Sequence, residues 1–156
     1  MPPSQTMMSA SAAACEILDQ VAQVAARRAL VIGDGPTMTH GGMRYGAGLI
    51  AARAAGAIIV DPRPCAAPLL REVLAQNPHI ESVLPAMGYS PAQLEALAAT
   101  IDAADAEVVV SATPVDLARL LHPAKPVVRA RYEFEEASRP GLAAEIEAFL
   151  AARAAV

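Results

Sequence analysis

Alternation is what most restricts the fold of this chain. Short apolar runs recur along it, each closed by glycine, proline or acidic residues and followed by a segment with helical spacing. Leu30 to Ile32, Ala57 to Val60, Ser82 to Leu84, Glu107 to Ser111 and Pro126 to Tyr132 read as strands. Val108, Val109 and Val110 leave no polar face, as expected of a strand covered on both sides in a parallel sheet. Helices are expected between and after the strands. One runs from near Gly42 or Met43 to Ala55, with Gly56 as its C-terminal cap. A second carries Leu69, Leu70, Val73 and Leu74 and ends before Asn77-Pro78. A third starts at Ser90-Pro91-Ala92-Gln93, with Ser at N-cap, Pro at N1 and Gln at N3. A fourth starts in Thr113-Pro114-Val115-Asp116 with Leu117, Leu120 and Leu121 inward, and the last has Leu142, Ile146, Phe149 and Leu150 on its apolar side. A helix is also expected ahead of the first strand, from about Ser11 to Arg27 and Arg28, with Ile17, Leu18, Val21, Val24 and Ala25 on one face. These elements predict an α/β fold: a single doubly wound, Rossmann-like domain of about five mostly parallel strands with helices on both faces. It spans 11–156, after a loose N-terminus at 1–10.

The interior has to be aliphatic, because aromatics make up only 3% of the 156 residues while hydrophobic residues make up 54%. With 18% charged residues the composition is that of a folded domain, not of a disordered chain. A net charge of −4 argues against a nucleic-acid surface, which needs a basic footprint. No apolar run approaches the roughly 18 residues that cross a bilayer, and the N-terminus lacks the pattern of a secretory signal. Cys15 and Cys65 have no metal-type spacing and read as two free thiols. The expected location is cytoplasmic.

In a doubly wound sheet, ligands bind outside the carboxyl ends of the strands. The stretch from Gly33 to Met43 follows the first strand and concentrates glycine with Asp34, Thr37, Thr39 and His40. Backbone N–H groups at Gly35, Gly41 and Gly42, the hydroxyls of Thr37 and Thr39, and the positive end of the next helix suit an anion such as phosphate. The plain alternative is a tight turn with a threonine cap. No Gly-Lys-Ser/Thr follows, so the loop is not a Walker A motif. Asp34 and Asp61 each follow a strand and are candidates to hold Mg²⁺, or else turn-forming aspartates. Arg63 and Arg131 have the fork suited to phosphate or carboxylate, their alternative being a salt bridge within the loops. His40 is the candidate acid–base group, with Asp34 beside it, since imidazole titrates near neutral pH. Thr113 is a ligand candidate or a helix N-cap with Asp116 at N3.

At these residues the chain resembles the C-terminal region of the cyclic 2,3-diphosphoglycerate synthetase family, whose members are also described as predicted GTPases. The likeness lies in Asp34-Gly35-Pro36-Thr37-x-Thr39-His40-Gly41-Gly42-Met43, Asp61-Pro62-Arg63-Pro64, Pro78-His79-Ile80, Val83 to Ser90, Thr113 to Leu117, and Arg129-x-Arg131-Tyr132-Glu133, within 28–136. The resemblance implies a longer protein in which a P-loop domain precedes this one and ATP drives phosphoanhydride formation with Mg²⁺. It implies for this chain an anionic, phosphorylated small-molecule ligand, ATP or GTP supplied only through a separately encoded P-loop NTPase subunit, and assembly as a homo-oligomer. Two other functions remain open: a binding or regulatory module without chemistry, and an autonomous small phosphotransferase or hydrolase using His40.

Overall fold

The computed structural model describes residues 12–136 and 140–154. Residues 1–10, expected as a loose terminus, lie outside them. Residues 16–132 form one compact unit, and the rest of the described chain falls in a second.

The strands are β1 (Ala12–Leu18), β2 (Arg28–Asp34), β3 (Ile58–Ile59), β4 (Leu84–Ala86), β5 (Val108–Ala112) and β6 (Val127–Glu136). The helices are α1 (Gly35–Thr39), α2 (Ala47–Ala54), α3 (Pro68–Gln76), α4 (Pro91–Ala103), α5 (Leu117–Leu121) and α6 (Leu142–Ala154). The sheet runs β1-β6-β5-β2-β3, with β4 also on β2. β2 pairs in parallel with β3, β4 and β5, and β5 pairs in parallel with β6. This is the α/β architecture expected, with β2 and β5 at its centre. Side chains alternate between faces along a strand, yet Ala29 to Gly33 and Val108 to Ser111 are all buried, so both faces of the sheet are covered.

One edge of β2 is shared by two strands in tandem. Arg28 and Ala29 pair with Ile58 and Ile59 of β3, whereas Ile32, Gly33 and Asp34 pair with Leu84, Pro85 and Ala86 of β4. The strand expected at Ser82 to Leu84 is therefore found two residues later, where the end of β2 offers backbone partners.

The expected first helix is not formed. Ala12–Leu18 is a strand beside β6, followed by a 3-10 turn at Val21–Gln23. The alanines there favour a helix locally, but propensity is a weak prior against the hydrogen bonds of an open sheet edge. α2 starts at Ala47, not near Met43, and Gly56 closes its end at φ +78 as the C-cap pattern requires. α4 has the full capping box: Gln93 N–H donates to Ser90 Oγ at 3.4 Å and Ser90 N–H donates to Gln93 Oε1 at 3.1 Å. α5 is capped by Asp116, which accepts from Arg119 N–H at 3.1 Å, and not by Thr113. Leu117 is buried and Leu121 half-buried as expected, but Leu120, expected inward, is exposed. No described helix is long and apolar enough to cross a membrane.

Candidate functional site

The glycine-rich stretch is more ordered than a loop. β2 continues through Asp34, and α1 begins at the next residue. This immediate turn is possible because Gly35 lacks a side chain: a Cβ there would lie 2.5 Å from Ala86 O and 2.7 Å from Met87 Sδ. His79 Nε2–H, donating to Met38 O at 2.9 Å, holds the helix from outside. Gly41 folds back tightly as well, its N–H reaching Pro36 O at 3.2 Å where a Cβ would meet Thr37 O at 2.4 Å.

Within this turn the polar groups satisfy one another. The Thr37 hydroxyl donates to the Asp34 carboxylate. Thr39 Oγ1 donates to Gly35 O at 3.0 Å and also lies 3.0 Å from His40 Nδ1. A hydroxyl has one proton, so with that proton on Gly35 O the imidazole donates from Nδ1–H. In neutral His40 the lone pair then sits on Nε2, which has no partner among the described residues. That nitrogen is exposed and chemically available. His40, Thr39, Met87, Val73, Gln76 and Asn77 line a cleft of ≈ 330 Å³.

The positive end of α1 does not await an anion, because Asp34 already places a carboxylate there. α2 differs. Its N-cap is Gly46, with no side-chain cap and no acid in its first turn. The N–H groups of residues 42–48 have no hydrogen-bond partner among the described residues. Gly48 brings this helix end onto the sheet, since its missing Cβ would be 2.7 Å from Ala112 Cβ and 3.2 Å from Val31 Cγ1. Of the expected donors, Gly42 N–H is among these unpaired groups, whereas the Thr37 hydroxyl is already spent on Asp34.

Strand register decides which candidate residues meet. Gly33 pairs with Ala112, and Ser111 with Arg129. Continuing each ladder puts Asp34, Thr113 and Arg131 at one level on neighbouring strands, with Ala86 of β4 paired to Asp34. Adjacent strands lie about 4.8 Å apart, so this row crosses the carboxyl end of the sheet within about 10 Å. Thr113 is buried and donates to Val115 O at 3.1 Å; Arg131 is exposed and bonds Asp19 Oδ1 at 2.5 Å.

Asp61 and Arg63 are not in that row. The β2–β3 register places Asp61 level with Val31, three positions short of Asp34, or about 10 Å along the strand. Asp61 accepts from Arg63 N–H and Nη1, both at 3.1 Å. The same guanidinium donates to Ile80 O and, at 3.5 Å, to Glu81 O, pinning the segment that leads into β4. No cluster of three or more metal-type side chains occurs among the described residues, and the Asp61 carboxylate is taken up by Arg63 at 3.1 Å.

Local reading missed Glu81. Its carboxylate bonds Arg53 at 3.0 Å and Arg44 at 3.3 Å, and its N–H donates to Arg44 O at 2.9 Å, so it fixes the loop that carries the free N–H groups. No local pattern signals it, since Glu81 stands 28 residues from Arg53 and farther still from Arg44. Cys65 is a free thiol that donates to Pro62 O at 3.3 Å; burial pushes it above the ordinary thiol range, outweighing the backbone hydrogen bond at Cys65 that favours the thiolate. The Cys15 side chain lies outside the described residues.

Fold and site together define a Rossmann-like α/β domain with donors gathered at the carboxyl end of its sheet. Comparison gives a more particular likeness. The chain is 47% identical over 131 residues to a curated relative, Arginine synthetase ArcE of Thermococcus kodakarensis. The match takes in 83% of this chain but 29% of the relative, so the chain is a partial homologue of a larger synthetase. No protein-family model and no solved structure matches it.

Proposed function

We propose that this chain is the small-molecule-binding domain of a synthetase-like system, related to the C-terminal part of the cyclic 2,3-diphosphoglycerate synthetase type. It acts with a separate P-loop subunit that supplies ATP or GTP. The observation that carries the reading is the 47% identity to under a third of a synthetase. A relative named for arginine broadens the ligand class from phosphoryl compounds to small molecules bearing any carboxylate or phosphoryl group. The uncapped end of α2, with unpaired N–H groups at 42–48, is suited to either. His40 Nε2, in the adjoining cleft, is the group placed to accept a proton during ligation.

The test is calorimetric titration of the purified chain with arginine, inorganic phosphate, 2,3-diphosphoglycerate and ATP, followed by phosphate-release assays with and without a P-loop subunit. The reading expects binding of one of the first three, no tight binding of ATP alone, and turnover only when the subunit is added. Binding without turnover under all conditions would favour the regulatory-module alternative. Turnover by the isolated chain, abolished in His40→Ala, would favour the autonomous enzyme. An absence of any binding would refute all three.

A further inference from the structure

Ser111 and Arg129 are partners across the β5–β6 ladder, and neither serves the site described above. Partnered residues of a parallel ladder project from the same face of the sheet, about 5 Å apart. Ser111 is 1% exposed, and its Oγ has no hydrogen-bond partner among the described residues. A buried polar atom left unpaired is rare in a folded chain and calls for a partner from outside it. Arg129 is half-buried, and its guanidinium makes no hydrogen bond or ion pair among the described residues. The guanidinium groups of Arg27 and Arg119 are unpaired too, but both residues stand exposed in water. Two positions further along the same strands the donors are already spent: Thr113 donates to Val115 O, and Arg131 bonds Asp19. Only the inner pair, Ser111 and Arg129, has donors unmet.

We propose that Ser111 and Arg129 form a carboxylate-binding site on the sheet face opposite α2. The face follows from alternation along β5: Ala112 meets Gly48 of α2, so Ser111 points the other way. The site is therefore separate from the uncapped end of α2 and does not rest on it. A guanidinium fork matches the two oxygens of a carboxylate, and the Ser111 hydroxyl supplies a third donor. Charge selects a carboxylate over phosphate. One free guanidinium balances one negative charge, and Arg131 is already held by Asp19. Asp34 follows Ile32, the β2 partner of Ser111, by two positions and so stands on the same face. A phosphate dianion would bring a second charge toward that acid with no cation to meet it. Access runs through Arg129 itself. No bond ties the end of its side chain, so the unbranched stem is free to swing toward solvent and let an oxygen reach Ser111. The unpaired hydroxyl lowers stability in the free chain, a loss recovered when the ligand accepts from it.

Nuclear magnetic resonance of the intact, isotope-labelled chain tests this, with acetate as the probe at constant ionic strength. The Arg129 Nε–H signal, identified by its absence in Arg129→Lys, is expected to shift and saturate at about millimolar acetate, as befits so small a ligand. Ser111→Ala should weaken acetate by about tenfold, the loss of one hydrogen bond to a charged group, with the amide spectrum otherwise preserved. Arg129→Gln should abolish binding, its fold checked by circular dichroism. Inorganic phosphate should move the Arg129 signal less than acetate does. A signal that moves no further in acetate than in chloride would overturn the proposal, and the wild type alone gives that answer. So would an acetate affinity unchanged in Ser111→Ala, or phosphate binding tighter than acetate, which would make the pair a phosphoryl site. The amide signals of residues 42–48 report separately on the α2 end, so failure at Arg129 is distinguishable from failure there.

Discussion

Replacing Gly35 with alanine tests the link between β2, α1 and the loop after β4. The added Cβ would lie 2.5 Å from Ala86 O, 2.8 Å from Ala86 C and 2.7 Å from Met87 Sδ. An ordinary carbon–oxygen contact is about 3.3 Å, so the overlap with the carbonyl is about 0.8 Å. The thioether can rotate aside, but the carbonyl belongs to β4, whose ladder to β2 includes the pair Asp34–Ala86. α1 must move instead. Overpacking of this kind costs about 1–3 kcal/mol, against which alanine recovers at most about 1 kcal/mol of backbone entropy. The net loss of about 1–2 kcal/mol corresponds to a melting temperature lower by about 3–8 °C in a chain of this size. Gly46→Ala is the matched control. Its φ of −126 suits any residue and no atom lies within 4 Å of the new Cβ, so it should stay within about 0.5 kcal/mol of wild type. Thermal and urea unfolding followed by circular dichroism read both. Met87→Ala in the Gly35→Ala background should recover only part of the loss. Equal stability of the two glycine variants, or full rescue by Met87→Ala, would refute the backbone clash.

Four further outcomes follow from the same geometry. Thr100 is fully buried, accepting from Ala67 N–H at 2.9 Å and donating to Ala96 O at 2.8 Å; Thr100→Val should cost about 1–3 kcal/mol and Thr100→Ser less, by urea unfolding. Ser111 Oγ is buried without a hydrogen-bond partner among the described residues, so Ser111→Ala should be neutral or stabilising by up to about 1 kcal/mol. Glu81→Gln should change stability by less than about 1 kcal/mol, its ion pairs being at the surface, yet weaken binding of arginine or phosphate by loosening the 42–48 loop; unchanged titrations would separate Glu81 from the site. The Cys65 thiol is held above its usual range by burial, so the folded chain keeps its proton where the unfolded chain has lost it. That contribution to stability is complete below the unfolded thiol pKa and fades as pH rises through the folded one; alkylation should be slower than for a free thiol at pH 8 and the gap should close in urea.

Much of this fold was legible because it is written in local patterns. Three consecutive valines admit only a strand covered on both faces, and Ser90-Pro91-Ala92-Gln93 carries its capping box within four residues. Gly48 meets the sheet, its missing side chain letting α2 come close to Ala112. What local reading could not supply was register. Asp34 and Asp61 look equivalent in sequence, each closing an apolar run, but β3 pairs with the start of β2 and β4 takes its end. Only the ladders show that Asp34, Thr113 and Arg131 share a level while Asp61 and Arg63 do not. The pairing of Thr37 with Asp34 is not legible for a related reason. Gly35 and Thr37 carry the right chemistry, but Asp34 neutralises their helix end, and this depends on where its side chain turns. Ala12–Leu18 was misread because its alanines speak for a helix while its partner, β6, lies more than a hundred residues away.

The tandem arrangement of β3 and β4 has a consequence for how the protein behaves in concentrated solution. A long bare sheet edge is a template on which another chain can polymerise. Here the edge beyond β2 is broken into strands of two and three residues, and the second contains Pro85, which has no N–H to offer. An intruding strand would find no continuous row of donors and acceptors to copy. At this edge the chain resists fibrillar aggregation by interruption, without needing the lysines that guard longer edges, even though Ile58 stands open to solvent.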